Sequence, residues 1–236
     1  MSGLGRRPFV PDQRDFPANR LRTLIRSRQA TPKSWTIDRI LNQGATPHCV
    51  GFGCADYGNC LPVDDEYTDA DGHALYYEAC AIGGYPDTED GANVRDGLKA
   101  LKKRGRIAAY ALLGDIDEVN DWLSNSGSVI VGTDWYADMD DPDTNSFVTP
   151  TGEIRGGHCY LLSGVDFNTL YFLNSWGEGW GRGGGFSMTD DDFAYLLRTG
   201  GEAWAAIELV PGPAPTPTRP SWLAWLWNRM WHWLSL

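Results

Sequence analysis

Three short stretches of the chain carry side chains that can do nucleophilic chemistry if the fold brings them together. The first is Asn42-Gln43-Gly44-Ala45-Thr46-Pro47-His48-Cys49-Val50-Gly51-Phe52. Pro47 sits where helices commonly start, so residues 49–58 read as a short helix. A thiol in the first turn of a helix faces about half a positive charge, which favours the thiolate. The alternative for Cys49 is a small buried hydrophobe, a role that suits Cys54 on the same helix. The second stretch is Gly156-Gly157-His158-Cys159, a strand histidine that another backbone can approach closely past two glycines. Alone, such a histidine is more often a satisfied core or surface imidazole. The third runs from Leu173-Asn174-Ser175-Trp176-Gly177 through Trp180-Gly181 to Phe186. Two tryptophans four apart among glycines read as a rigid loop presenting aromatic faces. His48 adjoins Cys49, but neighbours in a helix do not face each other, so it is a poor base for that thiol. His73 and His232 have no polar company in the sequence.

The elements that must position these groups change character along the chain. The helix at 49–58 contains Gly51, Gly53 and Gly58, each costing about 1 kcal/mol against Ala, so it needs burial or a close backbone neighbour. Residues 73–82 read as a second helix. Residues 92–104 read as a third, with Asp90 as cap, Val94, Leu98 and Leu101 on one face, and Gly105 as stop. Asp115 and Glu118 make a capping-box-like start for a fourth, running through Leu123. Residues 128–132, 158–165, 169–174 and 205–210 are short, β-branched or aromatic, and read as strands. A tight turn at Asp166–Thr169 pairs the strand bearing Asn174 with the one bearing His158. Helices first and strands later give an α+β protein in two lobes.

Formal net charge is −11, unevenly spread: +6 over residues 1–40, −19 over 41–210 and +2 over 211–236. The acidic body argues against a nucleic-acid partner, which needs a dense cationic face. Five cysteines, Cys49, Cys54, Cys60, Cys80 and Cys159, are an odd number and too few for a disulfide scaffold, so free thiols in a reducing compartment are expected. The N-terminus reads as no signal peptide, and no apolar run reaches the ~18 residues of a membrane span, so a cytoplasmic or virion-associated place is expected. The acidic runs Asp64–Glu66, Asp69–Gly72 and Asp138–Asp143 lack the full calcium-loop pattern and read as solvated turns. Cys54, Cys60 and Cys80 match no common zinc spacing, and no cofactor or metal is expected.

Taken together, the three stretches resemble the papain-like cysteine peptidases, family C1. The family's nucleophile segment has Gln, Gly, four residues and Cys, here Gln43, Gly44 and Cys49; its base is a strand His, here His158. Its Asn lies sixteen residues further, in an Asn-Ser-Trp-Gly-x-x-Trp-Gly run, here Asn174 to Gly181. Residues 84–105 and Val10–Phe16 are similar to the compact prokaryotic and phage members. The likeness covers roughly residues 8–210. It departs at Thr46, where the family often has a disulfide Cys, and at Pro47-His48 and Val50, where Gly-Ser and Trp are usual.

The resemblance implies a helical lobe with a central nucleophile helix, an antiparallel β-barrel-like lobe and an active site in the cleft between them. It implies catalytic roles for Cys49 as thiolate nucleophile, His158 as imidazolium, Asn174 as its orienter and Gln43 in the oxyanion hole. Gly83, Gly84, Gly91, Gly157, Cys159, Trp176 and Trp180 are the candidate substrate-binding residues, Cys159 being equally an ordinary strand residue. The expected activity is endopeptidase hydrolysis of a polypeptide by a monomer through an acyl-enzyme. The rivals are a cell-wall amidase and an inactive papain-like structural or binding protein, such as a virion component.

The expected organisation is a basic extended arm at 1–34, short for a separate inhibitory pro-domain, and a catalytic domain at 35–210. Within it the helical lobe is placed at about 41–124 and the β lobe at about 125–210. A Pro-rich linker at 211–220 and a Trp-rich amphipathic tail at 221–236 follow. The tail, ~24 Å long if helical, is read as a docking element for a membrane surface or a partner protein.

Overall fold

The computed structural model describes residues 3–18, 32–63, 65–85 and 89–208. The linker at 211–220, the tail at 221–236, Asp64 and much of the basic arm therefore lie outside the described residues. Five helices and seven strands appear among the described residues. The first helix, α1 (Cys49–Asn59), is buried along its whole length. Its glycines are explained by what lies against them. A Cβ on Gly51 would stand 2.2 Å from the carbonyl oxygen of Gly72, so this residue sets how closely the next helix approaches. That helix, α2 (Asp69–Gly83), begins four residues before the sequence-based start at 73. Thr68 and Asp71 form a capping box there, the Thr68 N–H donating to Asp71 Oδ2 at 2.8 Å. The third, α3 (Val94–Lys103), has Asn93 rather than Asp90 at its N-cap position, without a side-chain cap bond, and buries Val94, Leu98 and Leu101 as expected.

Seven strands form one antiparallel sheet: β1 (Lys33–Ser34), β2 (Ile107–Leu113), β3 (Val129–Tyr136), β4 (Ile154–Asp166), β5 (Thr169–Leu173), β6 (Gly185–Thr189) and β7 (Glu202–Glu208). The order is β2-β7-β3-β4-β5-β6, with β1 added against β4. The β4–β5 hairpin pairs Asp166 with Thr169, as the turn residues indicated. The sheet is open, ending at β2 and β6, so the expected barrel-like closure is corrected to an open twisted sheet. Two further helices pack on it, α4 (Ile116–Asn125) and α5 (Asp190–Arg198). Asp115 Oδ1 accepts the Glu118 N–H at 2.9 Å, while Glu118 Oε2 reaches back to the N–H of Gly114 at 2.8 Å.

The apolar interior divides into two clusters. One joins α1, α2 and α3 to Cys159, Leu161 and Trp204 of the sheet. The other lies on the sheet's opposite side, where Val119, Trp122 and Leu123 of α4 and Phe193 and Leu196 of α5 meet Trp135, Tyr160 and Phe186. Residues 107–125, placed in the helical lobe on sequence, thus form β2, paired with β7, and α4, buried against the sheet. All five cysteines are free and buried.

The Gly51 contact makes a direct test of the α1–α2 seam. Gly51→Ala gains helix propensity but drives a methyl into the backbone of α2, and overpacking of this kind costs about 1–3 kcal/mol. A urea melt is expected to show net destabilisation, whereas Ala at an exposed helical glycine would stabilise.

Candidate active site

Cys49 opens α1, with His48 as the N-cap residue. The His48 side chain turns away from the thiol toward α2. Its Nδ1 lies 2.6 Å from Nδ1 of His73, and its ring stacks on Tyr76 at 4.0 Å. His48 is therefore not the base for Cys49, as its place in the helix indicated. His73, without apparent polar company in the sequence, is its hydrogen-bond partner. Cys49 is fully buried, and its sulfur faces three backbone N–H donors, those of Cys159 on β4, Gly5 in the N-terminal segment and Val50 in its own helix. The close contact of α1 with β4 depends on Gly53, where a Cβ would stand 2.8 Å from Cys159 Sγ.

His158 precedes Cys159 on β4, so the strand that touches the sulfur through an N–H also carries the imidazole. Asn174 follows β5. Its Oδ1 accepts from His158 Nε2 and from the N–H of Ser175, both at 2.8 Å. The Ser175 bond identifies the amide oxygen, and that oxygen in turn places the proton on His158 Nε2. Nδ1 is left as the basic atom, buried and without a hydrogen-bond partner. Trp176 stacks on the imidazole at 4.9 Å and Trp135 meets it edge-on at 4.9 Å, covering the His158–Asn174 bond. Trp180 packs edge-on against Trp176 at 5.1 Å and donates to the Asp140 carbonyl, so it supports this wall at one remove.

Gln43 reaches the same place from the first lobe. A bridge between Asn42 and Trp176, with the N–H of Gln43 donating to the Ser175 carbonyl at 2.8 Å, stitches the two stretches together. Ser175 Oγ donates to Gln43 Oε1 at 2.7 Å, which directs the Gln43 amide nitrogen to the carbonyls of Thr46 and Gly3. Ser175 was not singled out from the sequence as a functional residue, although it lies within the Asn-Ser-Trp run.

The cleft is filled by the chain itself. Gly5 and Arg6 donate their N–H groups to the Gly157 carbonyl at 3.0 and 2.9 Å. Arg7 donates to the Ala92 carbonyl at 2.9 Å, and the N–H of Ala92 donates to the Gly5 carbonyl at 2.8 Å. Gly91 and Gly157 are the close-approach points: Cβ atoms there would stand 1.9 Å from Gly5 O and 2.2 Å from Arg6 O. The structure thus brings Gly91, Gly157 and Trp176 to the cleft beside Cys49, His158, Asn174 and Gln43. Gly83 and Gly84 instead end α2, the latter as its left-handed cap. Cys159 points its sulfur at Gly53 and is fully buried, an ordinary packed strand residue.

Burial decides the charges. It pushes the Cys49 thiol up to about 11, against the pull of the three N–H donors and of Arg6. It pushes His158 down to about 4, against its bond to Asn174. With residues 3–7 in place burial favours the neutral thiol and the neutral imidazole. The acidic runs are spent on caps, turns and ion pairs: Asp71 caps α2, Asp138 accepts from Thr151 Oγ1, and Asp140 pairs with Arg155. Among the described residues no group of three or more His, Cys, Asp or Glu is placed to hold a metal, and no helix is long and apolar enough to cross a membrane. A cavity of about 370 Å³ lined by Trp35, Ile40, Asn145, Tyr171, Arg182 and Phe186 includes none of the four expected catalytic side chains.

No protein-family model matches the sequence, and no curated protein matches it. Solved structures do. Xylellain, a cysteine protease from Xylella fastidiosa, is similar with a TM-score of 0.71 at 18% identity, over 88% of this chain and 97% of that one. The digestive procathepsin L2 of Tenebrio molitor larval midgut gives 0.65 at 17% identity, over 87% and 78% of the two chains. The proform of the ragweed pollen allergen Amb a 11, a cysteine protease, gives 0.60 at 12% identity over 92% and 68%. The likeness is one of fold, and the chain has the papain-like fold.

The neutral buried imidazole has a consequence for stability. The folded-state pKa of His158, at about 4, lies below the 6.5 of a free histidine. As pH falls through that window the unfolded chain takes up a proton that the folded chain refuses, so stability falls. The loss due to His158 is about 2 kcal/mol at pH 5 relative to neutral pH. Urea melts at pH 7 and pH 5 are expected to show it, and His158→Asn is expected to reduce the difference.

Proposed function

We propose that the chain is a cysteine endopeptidase of the papain type, resembling its compact prokaryotic and phage members, and that it hydrolyses polypeptides. The observation that carries this reading is the arrangement of His158. Its Nε2 donates to Asn174, its Nδ1 is an unpartnered base, and its strand neighbour touches the Cys49 sulfur. In this reading the Cys49 proton passes to His158 Nδ1 once the cleft opens to substrate. The thiolate attacks the peptide carbonyl carbon, and the Gln43 amide with the Cys49 N–H stabilises the oxyanion. His158 then protonates the leaving amine as the C–N bond breaks, and water releases the acyl group by the reverse sequence. Asn174 holds the ring so that Nδ1 is the atom that trades the proton. Ser175 holds the Gln43 amide so that nitrogen, not oxygen, faces the oxyanion. The Gly3 carbonyl that accepts from Gln43 in the filled cleft marks where a substrate oxygen can be bound.

Purified full-length protein is expected to digest casein and leave peptidoglycan intact. Cys49→Ala is expected to abolish cleavage with little change in thermal midpoint, and Gln43→Ala to lower kcat by about 10²–10³. Casein cleavage that survives Cys49→Ala would refute the assignment. Digestion of peptidoglycan alone would favour an amidase, and inertness toward both even in a folded Gly5→Leu variant, whose segment cannot seat against Pro47, an inactive scaffold.

A further inference from the structure

Arg6 does more than anchor the segment that fills the cleft. Its side chain is 1% exposed and enters a pocket closed by Glu202, whose side chain is 2% exposed. Arg6 Nε donates to Glu202 Oε1 at 3.1 Å and Nη2 to the Gly200 carbonyl at 2.7 Å, while Nη1 lies 3.7 Å from Asp134 Oδ1. Glu202 is fixed from its other oxygen by Trp204 Nε1 at 2.7 Å. The pocket exists because position 132 has no side chain: a Cβ there would stand 2.8 Å from Val94 Cγ2, 3.0 Å from Arg6 Nε and 3.1 Å from Glu202 Oε1.

The main chain around Arg6 pairs parallel to Ala92 with Arg6 following Gly5, so its side chain takes the pocket that a substrate running the other way would reach with the residue before the one at Cys49. Gly5 sits over the nucleophile: its carbonyl accepts from Ala92, its N–H and that of Arg6 donate to the Gly157 carbonyl, and the Gly3 carbonyl accepts from Gln43. Gly5 turns its N–H toward the sulfur and the Gly157 carbonyl, and its own carbonyl is taken up by the N–H of Ala92, so the segment binds without turning that carbonyl to the nucleophile. A buried carboxylate left without its cation is strongly unfavourable. When residues 3–7 leave, Glu202 keeps its bond to Trp204 but loses its hydrogen-bonded cation, and the side chain of a peptide that takes their place can supply another.

We propose that the Glu202–Asp134 pocket is a specificity site for an arginine or lysine side chain of the substrate, adjacent to the residue at Cys49, and that Arg6 is its resident pseudo-substrate. The proposal rests on the peptidase reading and names its substrate class. Asp134, one-third exposed, stands at the mouth, and Glu202 at the base. The pocket rejects an acidic side chain by like charge and leaves Glu202 unpaired when an apolar one enters.

The test is the rate of covalent labelling of Cys49 in the full-length protein by dipeptidyl fluoromethyl ketones. These carry Arg, Leu or Glu next to the residue bearing the electrophile, and labelling is read by intact mass and peptide mapping. Two variants displace the segment by different means. Arg6→Ala removes the resident cation. Gly5→Leu leaves the pocket untouched but drives a side chain into the Pro47 carbonyl, 1.9 Å from a Cβ at that position. Both are expected to label at least tenfold faster than the wild type with the Arg probe. Both are expected to prefer Arg over Leu at least tenfold and to react least with Glu. Adding Glu202→Gln is expected to bring the Arg and Leu rates within twofold. Equal Arg and Leu rates in folded Gly5→Leu, or an Arg preference that survives Glu202→Gln, would overturn the pocket and leave the peptidase reading standing. A folded Gly5→Leu protein whose Cys49 reacts with none of the three probes would overturn both.

Discussion

The contact on which the site depends is between the N-terminal end of α1 and the middle of β4. Cys49 and Cys159 are far apart in the chain, yet the backbone N–H of one faces the sulfur of the other. A helix and a strand approach that closely only where side chains are missing between them. Gly53 supplies the gap toward Cys159, and Gly51 supplies a second toward α2. The glycines that weaken α1 as an isolated helix are thus what allow it to be buried on all sides. Burial in turn contributes the stabilisation that propensity does not. His158 needs no separate placement, because it is the residue beside Cys159 and the strand carries both.

That same burial sets the charge state, and magnitudes decide the outcome. A helix N-terminus stabilises an anion by at most about 2 kcal/mol, roughly one and a half pKa units. Full desolvation opposes ionisation by as much as 3–5 units. In the filled cleft desolvation wins, which is why Cys49 stands at about 11 and His158 at about 4 despite the helix end, three N–H donors and Asn174. The helix dipole becomes decisive only when the cleft admits water or a polar substrate. Activation of the thiol and access to the thiol are therefore one event: whatever removes Gly3–Arg7 from the groove also lowers the thiol pKa and raises that of the imidazole.

The parts of this site written in contiguous sequence were legible, and the parts assembled by the sheet were not. Gln43, Cys49, His158 and Asn174 lie within short runs whose residue types and spacing limit the chemistry. The β4–β5 turn at Asp166–Thr169 correctly linked two of them. The α3 face of Val94, Leu98 and Leu101 was legible from its period. β2 was missed because Ile107–Leu113 is rich in Ala and Leu, which say little about strand or helix until β7 pairs with it. α5 was not read from the sequence, although its three aspartates, Asp190–Asp192, stand at the dipole-favoured end of a helix capped by Thr189. The Arg6–Glu202 pair joins the two ends of the described chain, and no local pattern announces a contact across that separation. Even the basic arm, judged by length too short for a separate inhibitory pro-domain, needs only five residues to fill the groove.

An occupant carried on the same chain changes how such a groove works. A tethered segment competes at an effective concentration on the order of millimolar, so an ordinary peptide must match its contacts to displace it. The main-chain bonds to Ala92 and Gly157 are available to any peptide and cannot discriminate. The buried carboxylate can, because it is satisfied by Arg6 or by an equivalent cation and by nothing apolar. Displacement therefore selects for the side chain that the pocket already holds. Because the thiol ionises only after displacement, a peptide that cannot satisfy Glu202 fails twice, by weaker binding and by leaving the nucleophile protonated. Specificity and activation are coupled through one ion pair, with no moving part beyond the segment itself.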